Sequence, residues 1–304
     1  MVERLVQTPL VAIILVNWNG LAYTLDCIES LRAVSYRSLK IIVVDNGSEP
    51  SQVDPLKEID TIHLIENGEN LGFTGGNNVG IQYAIDQGFD LIMLLNNDTL
   101  VEPNFLDPLV AEIQENETAA VQPKILQMDS KHIWSLGGKF NTALGKAKTI
   151  GAGKEDLSAY NPKAYNVDWL TGCCLFVKTS AFKEIGLLDD KYFALCEDVD
   201  WSLRAKIAGY ALKVVPGAVI YHHESASDKS KVRTTEGYRS PFRQYLNVRN
   251  HLYLVRKFVP WYFKPLAFGY YAIRSAIFAC YYLLRNRPNK LRMTLKGFRD
   301  GIKE

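Results

Sequence analysis

Cysteine is scarce in this chain, with five in 304 residues: Cys27, Cys173, Cys174, Cys196 and Cys280. The odd count and the lack of paired metal-ligand spacing argue against a disulfide framework and a thiolate metal site, and fit a reducing compartment. The adjacent Cys173 and Cys174 read better as two small apolar residues of a strand than as a redox pair. The opening MVERLVQTPL lacks the long apolar stretch of a secretory leader, so a cytoplasmic location is expected. Neither a G-x-G-x-x-G dinucleotide fingerprint nor a Walker phosphate loop occurs, which argues against a nicotinamide dehydrogenase and a P-loop kinase. Internal repeats and low-complexity tracts are also missing. The last shortage is local: residues 229–304 hold 3 Asp and Glu against 17 Lys and Arg, whereas residues 1–228 hold 30 against 18. A basic C-terminal part that is also rich in Tyr, Phe and Leu points to an anionic surface rather than to a flexible polybasic arm.

What is present is room for a large core, with 47% hydrophobic and 22% charged residues, in one large domain plus an appendage. VAIILV (11–16), IIVV (41–44), TIHLI (61–65) and LIMLL (91–95) read as buried strands. Between them Leu21, Leu25, Ile28 and Leu31 recur at helical spacing, and a helix from near Gly76 would set Val79, Tyr83 and Ala84 on one face. Short apolar strands separated by helices predict an α/β fold with a mostly parallel sheet covered on both faces. From about residue 118 the pattern loosens, and Gly137, Gly138, Gly145, Gly151 and Gly153 mark loops and short strands. DWLTGCCLFV (168–177) then reads as a strand and 180–185 as a short helix. EDVDWSLRAKIAG (197–209) reads as a helix with acids in its first turn, Arg204 and Lys206 later and Gly209 at its end. ALKVV and AVIYHH follow as two short strands.

Polar clusters stand at the ends of these elements. LIMLL runs straight into NNDT (96–99), which alone would read as a turn. Parallel strands align their C-terminal ends, so VNWNG (16–20), VDNGS (44–48) and NNDT are expected around one crevice, where open α/β sheets bind ligands. NLGFTGGNN (70–78) would let backbone approach a ligand, with amides at the start of the following helix. CEDVDW (196–201) adds two carboxylates at a helix start.

In this order, and over about residues 11–250, these segments resemble the family-2 inverting glycosyltransferases of the GT-A fold, in particular the rhamnosyltransferase-like members. The resemblance implies a GT-A-type, Rossmann-like nucleotide-sugar-binding sheet with a C-terminal helical appendage. Its catalytic domain would span 1–228, with a donor half to about 117 and an acceptor half over 118–228, and its helical region 229–304. Asn17 falls in the motif framing base and ribose, and Asp45 matches the acid that reads a pyrimidine base, although both could be capped turns. Asn70, Gly72, Gly75, Gly76 and Asn77 match the segment beside the nucleotide. NNDT takes the place of the Asp-x-Asp motif, with Asn96 in the first acidic position, Asn97 beside it and Asp98 as the remaining carboxylate. Asp98 would hold Mg²⁺ or Mn²⁺ on the diphosphate. His222 lies where relatives supply a histidine to the metal, with His223 as the fallback and a packed histidine as the alternative. Asp198 matches the catalytic base, and Glu197 would hold acceptor or raise its neighbour's pKa. Without the resemblance, both acids would simply favour a helix N-terminus. Gly172 belongs to the acceptor-side strand, and Trp201 either stacks on a sugar or fills core.

YLNVRNHLYLVRKF (245–258) repeats apolar residues at helical spacing, and its RN pair with Tyr253 and Lys257 again resembles the rhamnosyltransferase-like branch. VPWYFKPLAFGYYAIRSAIFACYYLL (259–284) is near the length of a spanning helix, ~20 residues. Lys264, Pro265 and Arg274 argue against insertion, since a charge near the middle costs about 2.5–3.5 kcal/mol. An interfacial helix pair on anionic lipid is expected, against a homodimer interface or a helical cap on the catalytic domain. The whole predicts a metal-dependent inverting glycosyltransferase, peripheral on the inner face of the cytoplasmic membrane. Its donor would be a nucleoside-diphosphate sugar, dTDP-L-rhamnose first and a UDP-sugar second. Its acceptor would be a cell-surface polysaccharide or a polyprenyl-linked glycan, and no nucleic-acid partner is expected. Two rivals are weighed. A sugar nucleotidyltransferase should carry a basic, glycine-rich triphosphate loop after its first strand, and VNWNGLAY has none. A glycan-binding scaffold with a degenerate site is disfavoured by the intact Asp98 and Asp198.

Overall fold

The apolar runs of the first half become neighbouring strands of one sheet in the computed structural model, which describes residues 8–115, 117–128, 130–156, 163–223, 235–237 and 239–303. Strands β1 (Val11–Asn17), β2 (Leu39–Asp45), β3 (Ile62–Glu66) and β4 (Leu91–Leu95) are parallel, in the order β3-β2-β1-β4. Helices α1 (Leu21–Arg32), α2 (Pro50–Lys57) and α3 (Gly72–Asp86) return the chain between them. Alternation along β1 explains why it is apolar throughout. Val11, Ile13 and Leu15 pack with Cys27, Ile28 and Leu31 of α1 on one face, while Ala12 and Ile14 pack with Ile81 and Ala84 of α3 on the other.

The second half continues the same sheet. Its elements are β5 (Thr99–Val101), α4 (Leu106–Ile113), β6 (Thr118–Gln127), β7 (Ile133–Ser135), β8 (Gly138–Asn141), β9 (Lys146–Thr149), β10 (Tyr165–Asn166), β11 (Cys174–Lys178), α5 (Thr179–Ile185), α6 (Glu197–Ile207) and β12 (Ala211–His222). Beyond β4 the order is β11-β6-β12-β10, with β5 on β12 and β7 on β6, while β8 and β9 form a separate hairpin. Strand β11 runs antiparallel to both β4 and β6, and β12 runs parallel to β6.

Three sequence expectations are corrected here. DWLTGCCLFV is not one strand: the chain turns at Thr171, whose carbonyl accepts from Cys174 N at 3.3 Å, and β11 starts only at Cys174. ALKVV and AVIYHH are one strand with a register shift between Val215 and Val219, where Pro216 lacks a ladder N–H. Helix α3 begins at Gly72, so Gly76 and Gly80 lie inside it. A Cβ would stand 2.9 Å from Val16 Cγ1 at Gly76 and 2.5 Å from Ile14 Cγ2 at Gly80, so both glycines serve close helix–sheet packing.

The C-terminal part forms α7 (Pro241–Phe258), α8 (Lys264–Leu284) and α9 (Pro288–Lys303). Ser240 caps α7, its side chain accepting from Arg243 N at 3.1 Å, with Pro241 following it in the first turn. The helix pair expected within 259–284 is a single helix, because Pro265 falls in its first turn, where a missing N–H breaks no bond. Tyr271 Oη donates to the Gly145 carbonyl at 3.1 Å and ties α8 to the β8–β9 hairpin. Among the described residues, no helix is long and apolar enough to cross a membrane.

Candidate functional site

The register that pairs Asn17 with Asp45 and Leu15 with Leu95 brings the ends of β1, β2 and β4 together. A continuous hydrogen-bond network forms there. Asn97 Nδ2 donates to Thr24 Oγ1 (2.8 Å), Thr24 Oγ1 to Asn17 Oδ1 (2.9 Å), and Asn17 Nδ2 to Asp45 Oδ1 (2.9 Å), while Ser48 N donates to Asp45 Oδ2 (3.0 Å). Asn17, Thr24 and Asp45 are buried, and satisfying them in one chain fixes all three strand ends at once. Thr24 was not singled out in the sequence, because one threonine in an amphipathic helix carries no signal of its own.

Asn46 does the equivalent work for the glycine-rich segment. Its Oδ1 accepts from Leu71 N (3.1 Å) and Asn67 Nδ2 (3.0 Å), and its Nδ2 donates to the Gly72 carbonyl (2.9 Å) and Asn70 Oδ1 (3.2 Å). Asn70 Oδ1 also accepts from Gly72 N at 2.8 Å. Asn46 lies within VDNGS, where nothing in the sequence sets it apart from its neighbours. Gly75 and Gly76 lie in the first turns of α3. Asn77 is buried and donates to the Phe73 carbonyl of its own helix at 2.8 Å, so the structure does not bring its amide to an open crevice.

Pairing of β5 with β12 sets His222 opposite Thr99. His222 Nε2 then lies 3.1 Å from Asp98 Oδ1 and 3.3 Å from Asn96 Nδ2. Both Asp98 and His222 are buried, Trp134 meets the imidazole edge-on at 4.6 Å, and His222 Nδ1 has no hydrogen-bond partner. His223 faces elsewhere, with its ring edge-on to Tyr23 at 5.4 Å and its N–H on the Asp98 carbonyl at 3.0 Å.

Across the β4–β11 boundary stands the second acidic group. Asp198 Oδ2 accepts from Gly172 N at 2.9 Å and Oδ1 from Val199 N at 2.8 Å, so the turn that shortens β11 is what presents Gly172 to it. Asp198 remains half-buried, whereas Glu197 is buried and its Oε2 lacks a partner. Burial raises the Glu197 carboxyl well above the usual carboxylate range, and the neighbouring Asp198 charge adds to it. Burial also raises Asp198, opposed by the N–H groups of Gly172 and Val199. Cys173 lies between the two acidic groups: burial pushes its thiol up, and Asp98 and Asp198 both contribute. Its carbonyl accepts from Asn96 N at 2.9 Å.

Trp201 is not at this surface. It is fully buried, tilted on Phe182 at 5.1 Å with Nε1 on the Gly186 carbonyl at 2.9 Å, in the core cluster that also holds Ala205. The loop ahead of α6 is unusual, with Phe193, Leu195 and Cys196 at φ of 61°, 72° and 72°. L side chains rarely adopt such backbone, and it concentrates at sites of function.

Comparison with known proteins agrees with this architecture. The chain is 24% identical over 217 residues to the dTDP-rhamnosyl transferase RfbF of Shigella flexneri, covering 71% of each. It is 25% identical over 316 residues to the N-acetylglucosaminyl-diphospho-decaprenol L-rhamnosyltransferase of Mycobacterium tuberculosis, covering 94% of this chain and 98% of the relative. Among solved structures, the mannosyltransferase of Pyrobaculum calidifontis in complex with GDP-Man and Mn²⁺ is similar with a TM-score of 0.55 at 12% identity, over 98% of this chain and 87% of that one. That likeness is one of fold, and the fold is of the GT-A type. Residues 12–186 match the family model described as glycosyl transferase family 2. With most of the sheet inside that match, the chain belongs to glycosyl transferase family 2.

Proposed function

We propose that this glycosyltransferase moves a rhamnosyl residue, with inversion, from dTDP-L-rhamnose to a polyprenyl-linked or polysaccharide glycan acceptor. The names of the two rhamnosyltransferase relatives support the sugar and the acceptor class. One observation carries the mechanism: a half-buried Asp198 gripped by two backbone N–H groups, beside a buried acid and across Cys173 from Asp98 and His222. In this reading Asp198 takes the proton of an acceptor hydroxyl while that oxygen attacks the anomeric carbon. The bond from that carbon to the diphosphate breaks on the opposite face, and its electron pair leaves with the nucleoside diphosphate. The backbone N–H groups aim the carboxylate, and its raised pKa brings it closer to the working pH of a base. Burial beside Asp198 also raises the Glu197 carboxyl, which disfavours a second charge next to the base. The network of Asn97, Thr24, Asn17 and Asp45 would frame the nucleotide, with the Asn46-pinned segment beside it.

Asp98 and His222 fit a divalent cation of the Mg²⁺ or Mn²⁺ kind. A buried carboxylate oxygen and an imidazole nitrogen 3.1 Å apart form a donor pair suited to it. Among the described residues no group of three or more His, Cys, Asp or Glu side chains could hold a metal, so diphosphate oxygens would complete the shell. The cation would supply neutralising charge for the departing diphosphate. Asp198→Asn tests the reading with dTDP-L-rhamnose and an N-acetylglucosaminyl-diphospho-polyprenol. Nucleotide affinity should stay unchanged while transfer falls by roughly 10²–10⁴-fold. Transfer that survives would move the base to Glu197. A thermal-shift series of dTDP-L-rhamnose against UDP-sugars, with and without Mn²⁺, decides the donor.

We also infer a peripheral seat on anionic lipid, at the inner face of the cytoplasmic membrane. Leu266, Ile273, Ile277 and Leu284 form an exposed stripe along α8, with Trp261 ahead of it 81% exposed. Helix α8 holds no Asp or Glu, and Arg285 and Arg287 follow its end. Apolar burial with flanking cations is the pattern of an interfacial helix. Flotation with phosphatidylglycerol vesicles should carry the full chain upward. If the chain stays below and scatters as a dimer, the stripe is a subunit interface.

A further inference from the structure

The loop that precedes Glu197 and Asp198 is held from two sides. Phe193 O accepts from Thr74 N of α3 at 3.0 Å. On the other side stands α7, which begins more than forty residues later. Asn250 is fully buried, and its Nδ2 lies 3.1 Å from the Tyr192 carbonyl, 2.8 Å from that of Ala194 and 2.7 Å from that of Leu195. Arg249 Nε donates to Asn250 Oδ1 at 2.9 Å, which fixes the amide with its nitrogen toward those carbonyls. Arg249 Nη2 adds bonds to the Lys191 and Tyr192 carbonyls at 2.8 and 3.1 Å, and its guanidinium lies over the rings of Tyr245 and Tyr253.

We propose that Arg249 and Asn250 are positioning residues for glycosyl transfer, acting by locking the loop 193–196, with Phe193, Leu195 and Cys196 at positive φ, in the backbone that sets Asp198. The physical need is specific. Carbonyls that converge on one side of a chain turned through positive φ repel one another and, buried, lack a ladder donor. The two N–H groups of the buried amide serve the Ala194 and Leu195 carbonyls at the shortest distances, while the Tyr192 carbonyl also accepts from Ala194 N and Arg249 Nη2, and together they make that backbone the favoured one. Cys196, itself left-handed, is the residue from which α6 departs, so the direction of the first turn of α6, and with it the Asp198 carboxylate, follows from the locked loop. The same loop meets Thr74 of the donor segment, so the clamp also keeps the donor side and the carboxylate in one register. The inference rests on Asp198 as the base, and its test is separable from that reading.

Asn250→Ala in the full chain should raise amide hydrogen exchange across 193–200, read by mass spectrometry, while exchange in β1, β2 and β4 stays as in the wild type. With dTDP-L-rhamnose and an N-acetylglucosaminyl-diphospho-polyprenol, kcat should fall on the order of 10²-fold, the worth of a misplacement of about 1 Å. The KM for the donor should hold. Adding Leu195→Gly, which accepts positive φ without strain but frees the backbone, should recover part of the lost turnover and none of the lost protection. A purely structural role for Asn250 would not be rescued by a glycine two residues ahead of Glu197. If Asn250→Ala does not fold, Arg249→Lys removes the bond that orients the amide and should show the same pattern in weaker form. Unchanged exchange across 193–200 in the folded variant overturns the proposal whatever the activity. An inactive Asp198→Asn beside a fully active Asn250→Ala overturns the clamp alone. An active Asp198→Asn overturns the base and leaves the exchange result to decide the clamp.

Discussion

Gly72→Ala probes the joint between the start of α3 and the loop ahead of α6. Gly72 has a φ of 75°, and a Cβ built on it would stand 2.4 Å from the Phe193 carbonyl oxygen and 2.6 Å from its ring. Two penalties follow. Left-handed backbone costs a non-glycine residue about 1–2 kcal/mol. The clash is with a backbone carbonyl that already accepts from Thr74 N, so it cannot be relieved by swinging a side chain, and overpacking of this kind costs about 1–3 kcal/mol. The expected destabilisation is roughly 2–5 kcal/mol. Gly88 supplies the control, because its φ is also 75° and nothing lies within 4 Å of its added Cβ. Gly88→Ala should therefore show the backbone penalty alone, about 1–2 kcal/mol. Urea unfolding of the wild type and both variants gives the two values, provided the denaturant slopes agree. Equal losses for Gly72→Ala and Gly88→Ala would show that Gly72 is not pressed on Phe193, and the argument for a shared joint would fall.

Asp98→Ala should strip Mn²⁺ dependence from dTDP binding, a loss of roughly 10–100-fold or more given what even indirect metal contacts are worth. Calorimetry with and without Mn²⁺ measures it, and an unchanged metal effect would reject Asp98 as a ligand. His251 supplies a pH test: burial and the nearby Arg274 charge lower its pKa from 6.5 to about 4, against a hydrogen bond at Asn247 O. The unfolded chain therefore binds this proton first, so its contribution is flat above pH 6.5 and stability drops as pH falls from 6.5 toward 4. The loss reaches at most about 3 kcal/mol. His251→Phe should flatten that part of the stability–pH curve relative to the wild type, and identical slopes would refute the assignment.

The parallel part of the sheet was legible in the sequence because its signal is local. Strands buried on both faces must be apolar at every position, as 11–16, 41–44 and 91–95 are, and parallel geometry then gathers their polar ends. The observed strand at 62–66 differs from the expected 61–65 by one residue. What the sequence hid was set by distant partners. Gly76 looks like the end of a loop until Val16 is seen against it. Trp201 looks available until α6 is packed on the sheet with that face inward. His222 could be ranked no higher than its alternatives, because its closeness to Asp98 depends on pairing between β5 and β12. The Arg249–Asn250 pair was visible only as a resemblance, since its carbonyl partners lie 55 to 58 residues upstream.

The charge split between the two parts of the chain also resolves once contacts are known. Lys257 is turned inward, with Nζ 2.6 Å from Asp200 Oδ1 and 3.3 Å from Asp189 Oδ2, and Asp200 is fully buried. Among the described residues, it is the one cation of 229–304 in an ion pair with residues 1–228. Among the rest, Arg285 and Arg287 lie over the exposed ring of Tyr281, whereas Arg274 over Tyr271 and Lys290 over Tyr282 stand against rings buried within the fold. Rings interleaved with cations suit the headgroup level of a bilayer, where one side of the contact is apolar and the other wet. The two roles respond differently to salt. The Debye length falls from about 10 Å at 0.1 M to about 3 Å at 1 M, which screens exposed charges far more than buried pairs. Raising salt over that range should therefore weaken flotation with phosphatidylglycerol vesicles and leave a residue of hydrophobic binding. The melting temperature measured in the same buffers should not fall alongside it. If binding and melting decline together, the basic residues of the tail act mainly within the fold, and the case for a lipid surface loses its electrostatic support.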